Sequence, residues 1–219
     1  MKYFEKRLVE MESQFPKVLR FFTLLWAVTA VGIYAGVFVP PALVMPISIA
    51  TVVLLIIVMF SRAARKASKL ISIIFAFLTG VTLYSLLSFY IGALGGNLVL
   101  VIFGTTAAIF IVAGLIGYNT KRNLGNMGKF LFITLIGIVI FSIITIFVGF
   151  SNIVMVIVSA IGVLLFVGYT LYDMNQIARN HISDEDVPLV ALNLYLDFIN
   201  LFTELLKLIY YLKNIFDED

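Results

Sequence analysis

The chain contains no cysteine and only one histidine, His181, among its 219 residues. The absence of cysteine excludes disulfide bonds and thiolate metal sites, and a single histidine excludes a metal site built from a histidine cluster. Charged residues make up 12% of the chain, which is about half the fraction found in an average soluble domain. These shortages exclude a disulfide-stabilised fold and argue against a soluble one.

Apolar residues are abundant instead, at 62% of the chain, with a mean hydropathy of +1.11. A transmembrane helix needs about 20 mostly apolar residues, and seven stretches meet that need. They lie at roughly 21–39, 41–60, 70–91, 97–118, 129–149, 153–173 and 188–212. The links between them are too short to hold a soluble domain. We therefore predict an all-α integral membrane bundle of seven transmembrane helices, forming a single domain over residues 1–219.

Positive charges in the links alternate along the chain. They occur before helix 1, between helices 2 and 3, and between helices 4 and 5, namely Lys2, Lys6, Arg7, Lys17, Arg20, Arg62, Arg65, Lys66, Lys69, Lys121, Arg122 and Lys129. The positive-inside rule then places the N-terminus in the cytoplasm and the C-terminus outside. The net charge of +3 reflects this topology, so it does not predict nucleic-acid binding.

Two aspartates, Asp173 and Asp197, occur in the apolar stretches of helices 6 and 7. An ionisable group at membrane depth costs about 2–3 kcal/mol on insertion scales and usually marks a functional site. Both residues are twelve positions from residue 185, the centre of the predicted turn between these helices. Antiparallel neighbours joined by that turn would hold the two carboxylates at the same depth. Whether the carboxylates meet depends on helix rotation, which the spacing leaves open.

Helix 7 carries its polar residues on one face. They follow one another at spacings of 4, 3, 4, 3 and 4, at Asn193, Asp197, Asn200, Glu204, Lys207 and Tyr211. Such a stripe in lipid must face protein or water. We predict that helix 7 lines a cavity or lies at the centre of the bundle, with Asn193, Asn200 and Glu204 lining a pore. The alternative is a stripe that only holds helices together.

Two nearby carboxylates in a dry site tend to share one proton, and when ionised they offer the hard oxygen ligands that Ca²⁺ prefers. Asp173 and Asp197 are therefore predicted as a pH sensor and as possible Ca²⁺ contacts. Arg62, the first charge after helix 2, is either a latch that pairs with Asp173 or a solvated topology residue. Lys207 either neutralises Glu204 or leaves it to attract cations.

The chain resembles the Bax inhibitor-1 family, in particular its small bacterial members. The most specific segment runs from Ala191 to Phe202, with the sequence ALNLYLDFINLF. Less specific segments are Phe38–Pro40, Pro46–Arg62, Phe75–Gly80 and Leu171–Ile177. With the seven spans in register, the resemblance extends over nearly the whole chain.

The resemblance implies seven helices with the last one central, and a pH-sensitive Ca²⁺ leak channel in a bacterial plasma membrane. It also implies that Asp173 and Asp197 are the proton sensor and that Arg62 latches the closed pore. No cofactor is expected, since Ca²⁺ would be the transported ion. The expected partners are the lipid bilayer, Ca²⁺ and protons, and the sequence names no protein partner.

Three other functions are possible. A proton-coupled ion or solute transporter would also use buried carboxylates, although the inverted repeats common in transporters are absent here. A retinal-binding photoreceptor would use Lys207, but helix 3 has no carboxylate to serve as counter-ion. An intramembrane aspartyl protease would need a Gly-Asp setting, whereas Tyr172 and Leu196 precede the two aspartates. We expect a protein that is not an enzyme.

Overall fold

The structure is a computed structural model that describes the backbone of residues 2–60 and 67–218 and the side chains of residues 14–54, 57 and 67–217. Over these ranges the chain forms seven α-helices and no β-strand. The helices are α1 (Lys2–Gly36), α2 (Pro41–Phe60), α3 (Ser68–Leu94), α4 (Gly96–Asn119), α5 (Met127–Thr145), α6 (Asn152–Arg179) and α7 (Val187–Glu218). The predicted all-α fold of seven helices is confirmed.

Several helices are longer than the predicted spans. The helix α1 begins well before residue 21, and α6 and α7 each continue six residues past the predicted ends at 173 and 212. The added residues include polar and charged ones, such as Gln176, Arg179 and Lys213. A helix satisfies its own backbone hydrogen bonds in water as well as in lipid, so the backbone does not stop where the apolar stretch stops. The prediction located the apolar stretch and not the helix ends.

Six helical stretches among the described residues are long and apolar enough to cross a membrane. They are Gln14–Gly36, Ser68–Leu94, Gly96–Asn119, Met127–Ile144, Asn152–Arg179 and Val187–Asp217. The remaining helix, α2, is 20 residues long, and its apolar part with described side chains is Pro41–Leu54. The last stretch is 67% buried, against 6–33% for the other five. This burial agrees with the prediction of a central last helix.

The chain packs as two compact units, Met1–Phe89 with Asn180–Tyr195, and Tyr90–Arg179 with Leu196–Asp219. In the first unit α1 and α3 approach closely, since a Cβ added to Gly32 would lie 3.0 Å from the Gly80 Cα. The buried Tyr195 hydroxyl, at the start of α7, shares a 2.7 Å hydrogen bond with Thr29 of α1. Within the first unit, α1 therefore contacts both α3 and the N-terminal part of α7. A single domain over residues 1–219 stays a prediction.

An exposed ion pair joins α1 to the α6–α7 turn in the first unit. The Lys17 ammonium donates a 2.6 Å hydrogen bond to Asp184 Oδ1. This hydrogen bond, together with the charge of Lys17, holds the pKa of Asp184 below its ordinary value. Because the pKa is lower in the folded chain, the pair stabilises the fold above the unfolded-state pKa, and this contribution is lost as the pH falls through the folded-state pKa.

We expect Asp184→Asn to lower the melting temperature only slightly at neutral pH, since both partners are exposed and solvent screens the pair. The difference from the wild type should vanish in acid, where Asp184 is protonated in both states. Thermal unfolding in detergent at neutral and strongly acidic pH measures both effects. A deficit that grows on acidification would contradict this role for the pair.

The second unit contains the end of α3, all of α4, α5 and α6, and most of α7. Its apolar core includes Leu131 of α5, Leu165 and Phe166 of α6, and Leu201 of α7. The helices α4 and α6 approach closely at Gly117, where an added Cβ would lie 2.9 Å from the Leu171 Cα. Both aspartates that the sequence singles out belong to this unit.

Candidate functional site

The structure brings the two aspartates together. Asp173 is half-buried on α6, and Asp197 is buried on α7 with 5% of its surface exposed. They lie close enough for the charge of Asp173 to act on the Asp197 carboxylate. The helix rotation that the sequence left open therefore turns the two side chains toward a common region of the second unit.

One oxygen of Asp197 stands out. Its Oδ2 atom is buried and has no hydrogen-bond partner among the described residues. A buried carboxylate oxygen without a partner is costly, and such an atom calls for an explanation in a proton, an ion or a role in function. A carboxylate oxygen of this kind can accept a proton or coordinate a cation.

Tyr169 is a further polar group near the pair, and the sequence reasoning did not include it. It precedes Asp173 by one helical turn on α6, and its phenol lies within electrostatic range of both Asp173 and Asp197. The i,i+4 spacing between Tyr169 and Asp173 was the signal that could have revealed it.

Asn175 holds α6 to the α4–α5 link two residues beyond Asp173. The side chain is fully buried, and its Nδ2 lies 3.0–3.1 Å from the carbonyl oxygens of Gly117, Thr120 and Arg122. Its Oδ1 accepts a 2.9 Å hydrogen bond from the Leu124 N–H. Since an amide has two N–H groups for three acceptors, at least one hydrogen bond is shared. Asn175 therefore fixes the basic link against the part of α6 that carries Asp173.

Glu204 lies on the same helix as Asp197, seven residues further on. Its carboxylate is buried and accepts a 2.7 Å hydrogen bond from the Lys207 ammonium. On the other side the carboxylate lies against α6 at Gly162, where an added Cβ would lie 2.9 Å from Oε2. The i,i+3 ion pair, which was one of the two alternatives that the sequence left open, is thus present. The carboxylate is buried within the second unit, whereas the Lys207 side chain is partly exposed.

For the other predicted site residues, the structure gives burial only or no description. Asn200 is half-buried and Asn193 is exposed, so the pore-lining role of Asn193, Asn200 and Glu204 stays a prediction. Arg62, the predicted latch, lies outside the described residues. No group of three or more Asp, Glu or His side chains that could hold a metal ion occurs in the described part of the chain. Asp173 and Asp197 would therefore need carbonyl and water oxygens to complete a Ca²⁺ shell.

The fold and these residues define a helical integral membrane protein with two neighbouring aspartates, one half-buried and one buried, on its last two helices. A sequence model of the family described as "Inhibitor of apoptosis-promoting Bax1" matches residues 12–214. The chain belongs to this family, the Bax inhibitor-1 family, and the resemblance drawn from the sequence is confirmed.

Relatives in several bacteria are similar over most of the chain. A membrane protein of Streptococcus pyogenes serotype M3 is 38% identical over 168 residues, which are 73% of this chain and 71% of the relative. A Helicobacter pylori J99 protein is 35% identical over 161 residues, covering 74% and 69% of the two chains. The inner membrane protein YbhL of Escherichia coli K12 is 35% identical over 165 residues, covering 71% and 68%. The chain is a membrane protein similar to these relatives.

Proposed function

We propose that this protein is a passive, pH-sensitive leak channel for Ca²⁺ and related cations, with Asp173 and Asp197 as the proton-sensitive element. The observation that carries the proposal is the buried Asp197 carboxylate, which lies within range of a second carboxylate and has an unpaired oxygen among the described residues. A purely structural role would have been met by an asparagine, without the cost of a charge at membrane depth.

In this proposal a proton competes with an arginine for one carboxylate. At neutral pH, an ionised Asp173 would pair with Arg62, and this pairing would keep the cytoplasmic mouth closed. Acidification places a proton on the carboxylate pair and removes the charge that holds Arg62. The mouth then opens, so the flux increases as the pH falls.

The permeating ion would pass carboxylate and amide oxygens on α7. Asn200 and Glu204 line the proposed path together with the aspartate pair, and such oxygens suit a hard cation like Ca²⁺. A conducting path requires binding that is weak enough for release. The small number of carboxylates in the described part of the site suits transient contact better than tight binding.

The proposal includes a cellular location and a set of partners. The protein would cross a bacterial plasma membrane seven times, with a cytoplasmic N-terminus and an external C-terminus, as the loop charges indicate. Its partners are the lipid bilayer, Ca²⁺ and protons. It would have no resident cofactor and no enzymatic activity.

The proposal is tested by Ca²⁺ movement into proteoliposomes that contain a Ca²⁺ indicator. We expect downhill flux that exceeds that of empty vesicles, increases as the pH falls, and stops when the Ca²⁺ gradient is dissipated. Ca²⁺ accumulation against its gradient, driven by a pH gradient, would instead identify a proton-coupled transporter. Equal rates in empty and protein-containing vesicles would rule out both functions for Ca²⁺.

A further inference from the structure

A second charged site lies further along α7, about 10 Å of helix rise beyond Asp197. It consists of the Glu204 carboxylate and the Lys207 ammonium, which are 2.7 Å apart. Only 9% of the Glu204 side chain is exposed, whereas 35% of the Lys207 side chain is. The carboxylate is therefore fixed inside the protein, and the ammonium approaches it from a more open side.

The backbone of α6 makes room for this carboxylate. Gly162 has no side chain, and a Cβ at that position would lie 2.8–2.9 Å from the Cγ, Cδ and Oε2 atoms of Glu204. A Cβ at this position would require the Glu204 side chain to move, so Gly162 leaves open the space that the carboxylate occupies. The Oε1 atom accepts the hydrogen bond from Lys207, and Oε2 lies toward Gly162 of α6.

Stability alone does not account for such a pair. Replacing a buried ion pair by well-packed apolar residues is often neutral or stabilising, since desolvation offsets the attraction between the charges. Apolar residues at positions 204 and 207 would also be compatible with a membrane-spanning helix. The pair instead resembles an acidic cation site whose cation is supplied by the chain itself, on a flexible four-carbon stem.

We propose that Lys207 is a tethered cation that occupies the Glu204 carboxylate and thereby restrains the passage of Ca²⁺ past the C-terminal half of α7. A mobile cation reaches Glu204 only when the Lys207 ammonium moves away, and removing the ammonium exposes the site. This inference rests on the proposed leak function, and it adds a second restraint that is separate from the aspartate pair.

The flux test compares Lys207→Met with two matched controls. Lys207→Met keeps an unbranched apolar stem and removes the charge, so we expect Ca²⁺ flux to rise about tenfold, the effect of losing a restraint of ~1.4 kcal/mol. Lys207→Arg keeps the charge and should stay near the wild-type rate. Lys213 lies on the same helix, and its ammonium donates a hydrogen bond to the Ala93 carbonyl and not to Glu204. Lys213→Met should therefore also leave the flux unchanged. Equal rates in Lys207→Met and the wild type would overturn the inference.

A second measurement needs no transport. Millimolar Ca²⁺ should raise the melting temperature of detergent-solubilised Lys207→Met by more than that of the wild type, because a ligand that binds only the folded state stabilises it. The added shift should disappear in the double variant Lys207→Met with Glu204→Gln. If the wild type showed no Ca²⁺ flux, the proposed leak would be refuted. The melting temperatures would still show whether Lys207 blocks Ca²⁺ binding at Glu204. Identical Ca²⁺ shifts in all three proteins would refute the tethered cation.

Discussion

Arg62→Ala and Asp173→Asn are each expected to raise passive Ca²⁺ flux at neutral pH about tenfold or more. A hydrogen bond to a charged partner contributes about 1.5–3 kcal/mol, and each 1.4 kcal/mol is a factor of ten in the balance between closed and open states. Both substitutions remove the same proposed contact, one from the cation and one from the carboxylate. Flux into proteoliposomes at neutral pH measures the effect.

The double variant makes this prediction specific. If Arg62 and Asp173 act through one contact, Arg62→Ala combined with Asp173→Asn should conduct no faster than either single variant, because the contact is lost only once. Lys69→Ala is the matched control, since it removes an exposed positive charge near the start of α3. Two independent increases that multiply in the double variant would contradict the latch.

Asn175→Ala is expected to produce the largest loss of stability, about 3 kcal/mol or more. The substitution leaves three carbonyl oxygens and the Leu124 N–H without the side chain that now bonds them. Hydrogen bonds of this kind contribute about 0.5–1.5 kcal/mol each, and the substitution removes four of them from a side chain that is itself fully buried. Unfolding by a denaturing detergent in mixed micelles measures the change.

Asn119→Ala is the matched control for Asn175→Ala. It removes the same amide group from an exposed position in the same unit, where the side chain bonds only a carbonyl within its own helix in the described structure. Its effect should stay within about 0.5 kcal/mol. Similar losses in the two variants would contradict the role of Asn175 as a buried link between α6 and the α4–α5 segment.

The spacing along the sequence predicted a common depth for the aspartate pair, but it did not predict that the two side chains approach each other. Equal spacing from the turn placed Asp173 and Asp197 at one level, because antiparallel helices share a rise per residue. Their approach also depends on how α6 packs against its neighbours. Close contacts such as Gly117 against Leu171 determine this packing, and no pattern within α6 or α7 reports them.

The burial of the polar stripe on α7 was predictable for residues in the middle of the helix. Asp197 and Glu204 are seven positions apart, which is nearly two full turns, and both are buried. Asn193 is exposed, although it belongs to the same stripe. It lies in the second turn of α7, near the charged α6–α7 link, and the periodicity of a sequence carries no information on where along a helix burial begins.

The role of Asn175 had no signal in the sequence. Its partners are backbone carbonyl and N–H groups of residues 117–124, and every residue type offers such groups. The role of Gly162 was predictable only as close helix packing. That its missing side chain makes room for the Glu204 carboxylate required the structure, because the two residues are 42 positions apart.

The most direct test of the account is the pH profile of passive Ca²⁺ flux for the wild type and Asp197→Asn. The substitution keeps the size of the side chain and removes the carboxylate that binds the proton. We predict a wild-type flux that rises on acidification and an Asp197→Asn flux that is nearly independent of pH. The control is Asp184→Asn, which changes an exposed aspartate in the α6–α7 turn. This variant should keep the wild-type pH profile. An Asp197→Asn profile that coincides with the wild type would show that the buried pair is not the proton sensor.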